Sequence, residues 1–140
     1  MEIKEIKNLK TMLENFKILK EVYPRLTLKE YKNKLNDMLS NNYKQVGVYN
    51  KKECIGLTGY WIGTKLWCDK YFELDNIVIS KKYRSKGIGE ELFKYMEAKA
   101  RKEKCSMIAL DTYTNNFKAH KFFYNQGYIP KGFHFIKKLK

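Results

Sequence analysis

The chain is 140 residues long, a length that fits one domain, residues 1–140, with room for a buried core. Apolar residues make up 44% of it and aromatic residues 15%, which excludes a disordered chain. The formal net charge of +14 suggests a nucleic-acid partner, but the 29 basic side chains include only three arginines and are scattered through every segment. Nucleic-acid readers favour arginine and cluster their charge, so the composition weighs against such a partner. A basic surface would still attract any anionic ligand.

Cysteine and histidine usage argues against a disulfide framework and against a metal site. The three cysteines, Cys54, Cys68 and Cys105, form no C-x-x-C pair, and the two histidines, His120 and His134, stand at unrelated positions. The N-terminal region alternates charged and apolar residues, which is typical of neither a signal peptide nor a membrane span. The sequence therefore predicts a cytoplasmic protein that binds no metal and does not contact a membrane.

Helical periodicity dominates the first forty residues and predicts two amphipathic helices separated at Pro24. The second helix begins after Thr27, which is followed three positions later by Glu30 in the capping-box pattern. It is expected to end at the two asparagines at 41–42.

From Tyr43 onward the spacing of apolar residues changes to that of strands. The elements expected, in chain order, are strands at 43–49, 55–62 and 71–80, a helix ending near 104, a strand at 107–111, a short helix at 116–126 and a final strand at 133–139. This order predicts an α/β fold (an α+β mixed sheet) with an antiparallel first half and a β-α-β crossover.

The stretch R-S-K-G-I-G, Arg84 to Gly89, lies between the strand that ends near Ser80 and the helix that follows. A turn from strand to helix presents unpaired main-chain N–H groups and the positive end of a helix dipole, which together suit a phosphate. Glycines at 87 and 89 would let the main chain approach that ligand closely. Neither the dinucleotide fingerprint nor the Walker motif is present.

These six residues resemble R-x-x-G-x-G/A, motif A of the GNAT superfamily of N-acetyltransferases. The preceding L-D-N-I-V-I resembles the family's fourth strand. Downstream, N-F-K-A-H-K-F-F-Y-N-Q-G-Y resembles the family's N-x-x-A-x(7)-G-F/Y segment, with Asn116, Ala119, Gly127 and Tyr128 in register. The resemblance implies the acyl-CoA N-acyltransferase fold, a central mixed and twisted sheet flanked by about four helices.

The resemblance also implies that acetyl-CoA is the cosubstrate. The loop Arg84 to Gly89 would hold its pyrophosphate, and the main chain at Ile77 to Ile79 would pair with the pantetheine arm like an additional strand. Asn116 would bind the arm from the other side. The cofactor-binding residues implied are Ile77, Val78, Ile79, Arg84, Ser85, Lys86, Gly87, Ile88, Gly89, Asn116 and Phe123.

Acetyl transfer needs an unprotonated amine, and an amine with a pKa of about 10.4 is almost wholly protonated at neutral pH. By the resemblance, the base comes from the fourth strand, where Asp75 and Glu73 share one face and stay equal candidates, directly or through water. The family often has a tyrosine as general acid where this chain has Phe123. Tyr124 is then a candidate acid, although a thiolate can leave without one, since a thiol has a pKa of about 8.5.

The function implied is transfer of an acetyl group to a primary amine of a small molecule or protein, by direct transfer in a ternary complex. Two alternatives stay open: a non-catalytic acyl-CoA-binding or regulatory protein of the same fold, and a basic nucleic-acid-binding module. A basic enzyme would favour an anionic or neutral acceptor unless Asp69, Glu73 and Asp75 form an acidic pocket. The oligomeric state is open, with a homodimer as the commonest form.

Overall fold

The computed structural model describes residues 1–140, and its centre is a five-stranded sheet in the order β1-β2-β3-β4-β5. The first four strands pair antiparallel, whereas β4 and β5 run parallel, so the predicted α/β mixed-sheet class is confirmed. The strands are β1 Glu2–Ile6, β2 Tyr43–Asn50, β3 Glu53–Lys65, β4 Asp69–Ile79 and β5 Met107–Leu110. The helices are α1 Leu9–Glu14, α2 Phe16–Leu19, α3 Leu28–Leu39, α4 Ile88–Lys102 and α5 Phe117–Asn125, with a 3-10 turn at Lys81–Tyr83.

The N-terminal region departs from the prediction of two helices. Residues Glu2–Ile6 form β1, which pairs with β2 and so extends the sheet at its first edge. The first predicted helix is split at Asn15, whose side-chain amide donates to the Tyr49 hydroxyl at 2.7 Å. The second helix begins as predicted, because the Thr27 hydroxyl accepts the Glu30 N–H at 3.2 Å.

The predicted strand at 133–139 is wrong. We call residues 129–140 the tail; it forms no helix or strand and makes no main-chain to main-chain hydrogen bond. Alternating side chains favour a strand, but a strand also needs a neighbour with unpaired N–H and C=O groups in register. β5 is an edge strand with one side unpaired, but no main-chain hydrogen bond joins the tail to it.

The core is divided between the two faces of the sheet. On one face, strand residues such as Tyr60 and Phe72 pack against Leu92, Phe93 and Met96 of α4. On the opposite face, α1, α2 and α3 cover a second set of buried side chains that includes Tyr31, Leu35, Tyr43, Leu57 and Val78. No helix combines the length and the apolar character needed to cross a lipid bilayer.

A bulge in β4 sets the geometry of the sheet beside the site. Gly59 lies opposite Asp75, yet Leu57 lies opposite Val78, so β4 contains one more residue than β3 over this step. The additional residue is Asn76, which has a left-handed φ of 54°. Asparagine adopts this conformation more readily than most side chains. The alternation of side chains between the two faces shifts by one residue at this point.

Phe93 is the residue through which α5 is attached to the core, so its removal tests that packing. Its ring is 1% exposed and lies 5.1 Å from Phe122, 6.0 Å from Phe123 and 5.6 Å from Tyr128, between centroids. We expect Phe93→Ala to lower the free energy of unfolding by about 3–5 kcal/mol in a urea titration. Phe117→Ala, at a ring that is 73% exposed, should change it by less than about 0.5 kcal/mol. A loss below about 1 kcal/mol for Phe93→Ala would contradict this packing.

Candidate functional site

A groove of about 1450 Å³ opens where β4 and β5 separate. The two strands stay paired only as far as Leu74 and Leu110, and beyond that point the second half of β4 continues alone. The groove is walled by this half of β4, the loop before α4, α5, the segment after β5 and part of the tail. Every site residue predicted from the sequence lines it except Lys86 and Tyr124.

The second half of β4 presents unpaired main-chain groups to the groove. The Ser80 N–H donates to the Ile55 carbonyl at 2.9 Å, so Ser80 directs its main chain towards β3. Because successive residues of a strand point their N–H and C=O groups to opposite sides, Ile77 and Ile79 direct theirs towards the side that β5 no longer covers. An extended ligand with amide groups could pair there as an additional strand.

The loop Arg84 to Gly89 leads into α4 and places the N-terminus of this helix at the groove. Gly87 is the N-cap residue with a φ of 79°, and no side chain caps the first turn. The main-chain N–H groups of that turn are therefore available to an anion. A Cβ on Gly87 would meet nothing within 4 Å, whereas a Cβ on Gly89 would lie 3.2 Å from the Phe122 ring. A side chain at Gly89 would therefore need the Phe122 ring to shift by a few tenths of an ångström.

Arg84 is held along the rim of the groove. Its Nε–H donates to the Ile79 carbonyl at 2.9 Å, and its Nη2 lies 3.9 Å from the Glu21 carboxylate. The same carboxylate accepts the Lys81 N–H at 2.9 Å, so Glu21 connects the segment after α2 to this loop. Lys86 lies outside the groove, with its ammonium 5.5 Å from the centroid of the Tyr83 ring.

The structure separates the two carboxylates that the sequence left equal. Both line the groove, but the Asp75 oxygens are occupied: one accepts the Asn76 N–H at 2.9 Å and the other accepts the Trp61 indole N–H at 3.0 Å. Glu73 has no hydrogen-bond partner and is half-buried. Burial, followed by the negative charge of Asp111, raises the pKa of the Glu73 carboxyl above its ordinary value. Glu73 is therefore the carboxylate better suited to accept a proton.

Asp111 and His134 line the groove near Glu73 and were missed by the sequence analysis. The His134 Nδ1 lies 3.1 Å from the Asp111 carboxylate. Asp111 could have been expected, because it directly follows β5 and so stands at the carboxyl end of a parallel strand. His134 could not, since its place depends on the course of the tail. No group of three or more His, Cys, Asp or Glu side chains is arranged to hold a metal ion.

Asn76 fixes the bulge through its side chain. Its Oδ1 accepts the Tyr43 hydroxyl at 2.7 Å, and its Nδ2 donates to the Tyr23 hydroxyl at 2.8 Å. Tyr23 itself lines the groove, so the segment after α2 forms the wall opposite α5. The role of Asn76 does not show in the sequence, because its two partners lie 33 and 53 residues away in the chain.

Helix α5 supplies the remaining wall. The Asn116 side chain caps this helix by accepting the Ala119 N–H at 3.3 Å, and its amide nitrogen has no protein partner. Phe123 is half-buried and stacks on Phe93, with the edge of its ring in the groove. Tyr124 points away from the groove and is 56% exposed. The structure therefore does not bring Tyr124 to the predicted site, whereas Tyr113, on the segment after β5, lines the groove.

Comparison with known proteins agrees with this architecture. The model of the acetyltransferase (GNAT) family matches residues 9–128. Among curated proteins, none matches the chain by sequence. AAC(6')-Ig, an aminoglycoside 6'-N-acetyltransferase from Acinetobacter haemolyticus, is similar with a TM-score of 0.78 at 18% identity, over 100% of both chains.

Two further solved structures share the fold. AAC(6')-Iy, in complex with a CoA-linked bisubstrate analogue, has a TM-score of 0.83 at 17% identity, over 99% of this chain and 97% of its own. Glucosamine-6-phosphate N-acetyltransferase from Arabidopsis thaliana has a TM-score of 0.75 at 16% identity, over 99% and 98%. Since the family model covers most of the chain and these structures share its fold, the chain belongs to the GNAT family of acetyltransferases.

Proposed function

We propose that the protein transfers an acetyl group from acetyl-CoA to a primary amine by direct transfer in a ternary complex. The observation that carries the proposal is the groove itself. It joins an unpaired strand edge and an uncapped helix N-terminus to a half-buried, unpartnered carboxylate. The family membership and the CoA complexes of AAC(6')-Iy support the same cosubstrate.

In this proposal acetyl-CoA lies along the second half of β4. Its pantetheine amides pair with the outward-facing main chain of Ile77 and with the Ile79 N–H, since the Ile79 carbonyl already accepts the Arg84 Nε–H, and the Asn116 amide reaches the arm from α5. Its pyrophosphate accepts the N–H groups of the first turn of α4, with positive charge from Arg84. An arginine already fixed by two protein contacts loses less freedom on binding than a free one.

Glu73 is the proposed base. The amine nitrogen attacks the thioester carbonyl, the C–S bond breaks, and CoA leaves as its thiolate. The proton that the ammonium form must lose before attack passes to the Glu73 carboxylate, directly or through one water, and the second proton, lost from the nitrogen as the C–S bond breaks, is taken up by the departing thiolate. Asp75 has a different role, because its carboxylate is engaged with Trp61 and with the main chain at the bulge. It positions the strand on which Glu73 stands.

No dedicated acid is needed. A thiol has a pKa of about 8.5, so CoA thiolate is a tolerable leaving group near neutral pH. Tyr124, the candidate from the sequence, is directed to solvent on the outer side of α5. A non-catalytic acyl-CoA-binding protein stays the second candidate, because Phe123 occupies the position where the family often has a tyrosine.

We propose a cationic acceptor, such as an aminoglycoside or a polyamine-like amine. Four carboxylates line the groove of a chain whose net charge is +14, and three of them, Glu73, Asp75 and Asp111, stand on or directly after β4 and β5. This local excess of negative charge on a positively charged protein would attract an amine that carries further positive charges. Asp69, which the sequence grouped with this pocket, does not line the groove, and Asp111 replaces it.

Gly87→Asp tests the phosphate position. Aspartate serves as an N-cap and tolerates a left-handed φ, so the variant should fold, but its carboxylate would stand where the pyrophosphate binds. We expect the dissociation constant for acetyl-CoA, measured by calorimetry, to rise at least about tenfold. Gly132→Asp adds the same charge at an open position outside the groove and should leave the constant unchanged. Equal binding by both variants would refute the phosphate site.

Glu73→Gln tests the base. At neutral pH we expect kcat to fall by about 10²–10⁴ with any amine acceptor that supports turnover. The loss should shrink as the pH approaches the pKa of the amine, about 10.4, because the acceptor then deprotonates itself. Asp75→Asn should lower the rate less and leave the pH profile unchanged. If Asp75→Asn instead gave the larger, pH-dependent loss, Asp75 would be the base and Glu73 the positioning residue. If the wild type bound acetyl-CoA without turnover, the non-catalytic acyl-CoA-binding protein would be favoured.

Glu73→Gln should also change the free energy of unfolding, by an amount that depends on pH. Because the pKa of Glu73 is raised in the folded protein, the ionised carboxylate lowers stability as the pH rises from the ordinary value of 4.5 through the folded-state pKa. Glu73→Gln is therefore expected to increase the free energy of unfolding near pH 7, with the increase vanishing below the ordinary pKa. Urea titrations at several pH values measure it. A variant less stable than the wild type near pH 7 would show that the carboxylate is stabilised instead.

A further inference from the structure

Tyr23 lines the groove beside the bulge in β4. Its hydroxyl oxygen accepts a hydrogen from Asn76 Nδ2 at 2.8 Å, and no group of the protein accepts the Tyr23 proton. Asn76 stands between Asp75 and Ile77, where the stretch of β4 proposed for acetyl-CoA meets the stretch that carries the carboxylates. The hydroxyl of Tyr23 is therefore a hydrogen-bond donor at this junction, and the acetyl transfer described above does not use it.

The segment that carries Tyr23 is fixed by the protein itself. The Lys20 ammonium donates to the carbonyl of Pro24 at 2.6 Å and to the carbonyl of Leu26 at 3.0 Å. The Tyr23 N–H donates to the Leu19 carbonyl at 2.8 Å. A hydroxyl on a segment held in this way loses little conformational freedom when it binds a ligand.

A buried chain of hydrogen bonds decides that Tyr23 offers a proton to the groove. It begins at Gln45, which is fully buried and whose Nε2 lies 2.8 Å from the Tyr31 hydroxyl and 3.2 Å from the Tyr43 hydroxyl. An amide nitrogen only donates, so the Tyr43 oxygen is an acceptor and its own proton is donated to Asn76 Oδ1, 2.7 Å away. Because Asn76 turns its Oδ1 to Tyr43, it presents its Nδ2 to Tyr23.

The reverse direction of this chain is the less favourable one. The Oε1 of Gln45 is buried and has no hydrogen-bond partner. If that amide were turned over, its N–H groups would be left without a partner instead, and such buried N–H groups are rarer in proteins than under-satisfied C=O groups. Burial also raises the pKa of the Tyr23 hydroxyl above its ordinary value of 10.0, so this hydroxyl keeps its proton near neutral pH.

We propose that Tyr23 recognises the acceptor by donating its hydroxyl proton to an oxygen atom close to the reacting amine. This inference rests on the proposed acetyl transfer and narrows its acceptor class. An ammonium group has no lone pair, so a polyamine-like acceptor whose other nitrogens are protonated could not accept this hydrogen bond. The hydroxyl and ether oxygens of an amino sugar can accept it, and further amines on the same sugar keep the positive charge that the carboxylates of the groove attract.

Two amines that differ in one ring atom test the inference. Tetrahydropyran-2-ylmethylamine has an ether oxygen in the ring, and cyclohexylmethylamine has a methylene in its place. We define the preference as the ratio of kcat/KM for the ether amine to kcat/KM for the cyclohexyl amine, measured by release of CoA thiol. We expect Tyr23→Phe to lower the preference about tenfold relative to the wild type. The comparison between two proteins cancels any difference in basicity between the amines.

Two further measurements serve as controls for Tyr23→Phe. Its dissociation constant for acetyl-CoA, measured by calorimetry, should equal that of the wild type. Tyr71→Phe removes the same atom from a ring that lies outside the groove, with the Lys65 ammonium 5.0 Å from its centroid. This variant should keep the wild-type preference.

Asn76→Asp separates the direction of the proton from the presence of the tyrosine. Aspartate keeps the size of the side chain and tolerates the left-handed φ, but its two oxygens only accept hydrogen bonds. One oxygen would accept the Tyr43 hydroxyl, and the other would accept the Tyr23 hydroxyl, whose proton would then point away from the groove. We expect the preference to fall about as far as in Tyr23→Phe, although the tyrosine is retained.

Failure of the inference is distinguishable from failure of the proposed function. If the wild type acetylated both amines and Tyr23→Phe left the preference unchanged, the inference would be wrong and acetyl transfer would stand. An equal loss of kcat/KM with both amines would also overturn it, since the hydroxyl would then not read the acceptor's oxygen. A preference retained in Asn76→Asp would show that the buried chain does not direct the proton. Acetylation of neither amine by the wild type would count against the proposed function, and the inference would fail with it.

Discussion

The bulge at Asn76 is the constraint on which the rest of the site depends. One additional residue in β4, held in a left-handed conformation by hydrogen bonds to Tyr43 and Tyr23, shifts the strand's alternation at its midpoint. Before the bulge, Glu73 and Asp75 reach the groove through their side chains. After it, Ile77 and Ile79 reach the groove through their main chains. The bulge therefore decides which residues of β4 direct their side chains, and which their main chains, to the groove.

The groove is polarised from end to end. The N-terminus of α4 and Arg84 lie at one end, together with Glu90 of the same first turn, and Glu73, Asp75 and Asp111 supply negative charge at the other. An anionic cosubstrate and a cationic acceptor would thus be drawn to opposite ends and meet between them. Burial and hydrogen bonding distinguish the two carboxylates of β4. Asp75 accepts the Trp61 indole N–H, whereas Glu73 has no hydrogen-bond partner and a raised pKa.

Short residue spacings were enough to predict the elements that depend on interactions between residues close together in the chain. The loop Arg84 to Gly89 follows from short spacings, and the structure places an uncapped helix N-terminus where it was expected. Tyr124 stands apart from Phe123 because one residue is a rotation of about 100° around a helix. The first strand was missed because five alternating residues before a helical stretch are too short to outweigh it.

The sequence by itself determined the mixed sheet, the glycine-containing loop before α4 and the pair of carboxylates on one strand. Only the tertiary structure decided which carboxylate is free, because the partner of Asp75 is Trp61, on the neighbouring strand. It also brought Asp111 and His134 together and gave Asn76 its two tyrosines, all over separations of more than twenty residues. The tail also could not be predicted from its sequence pattern. Alternating side chains give an extended segment two faces, but the segment becomes a strand only when its main chain is hydrogen-bonded to a neighbour, and the tail makes no such bond.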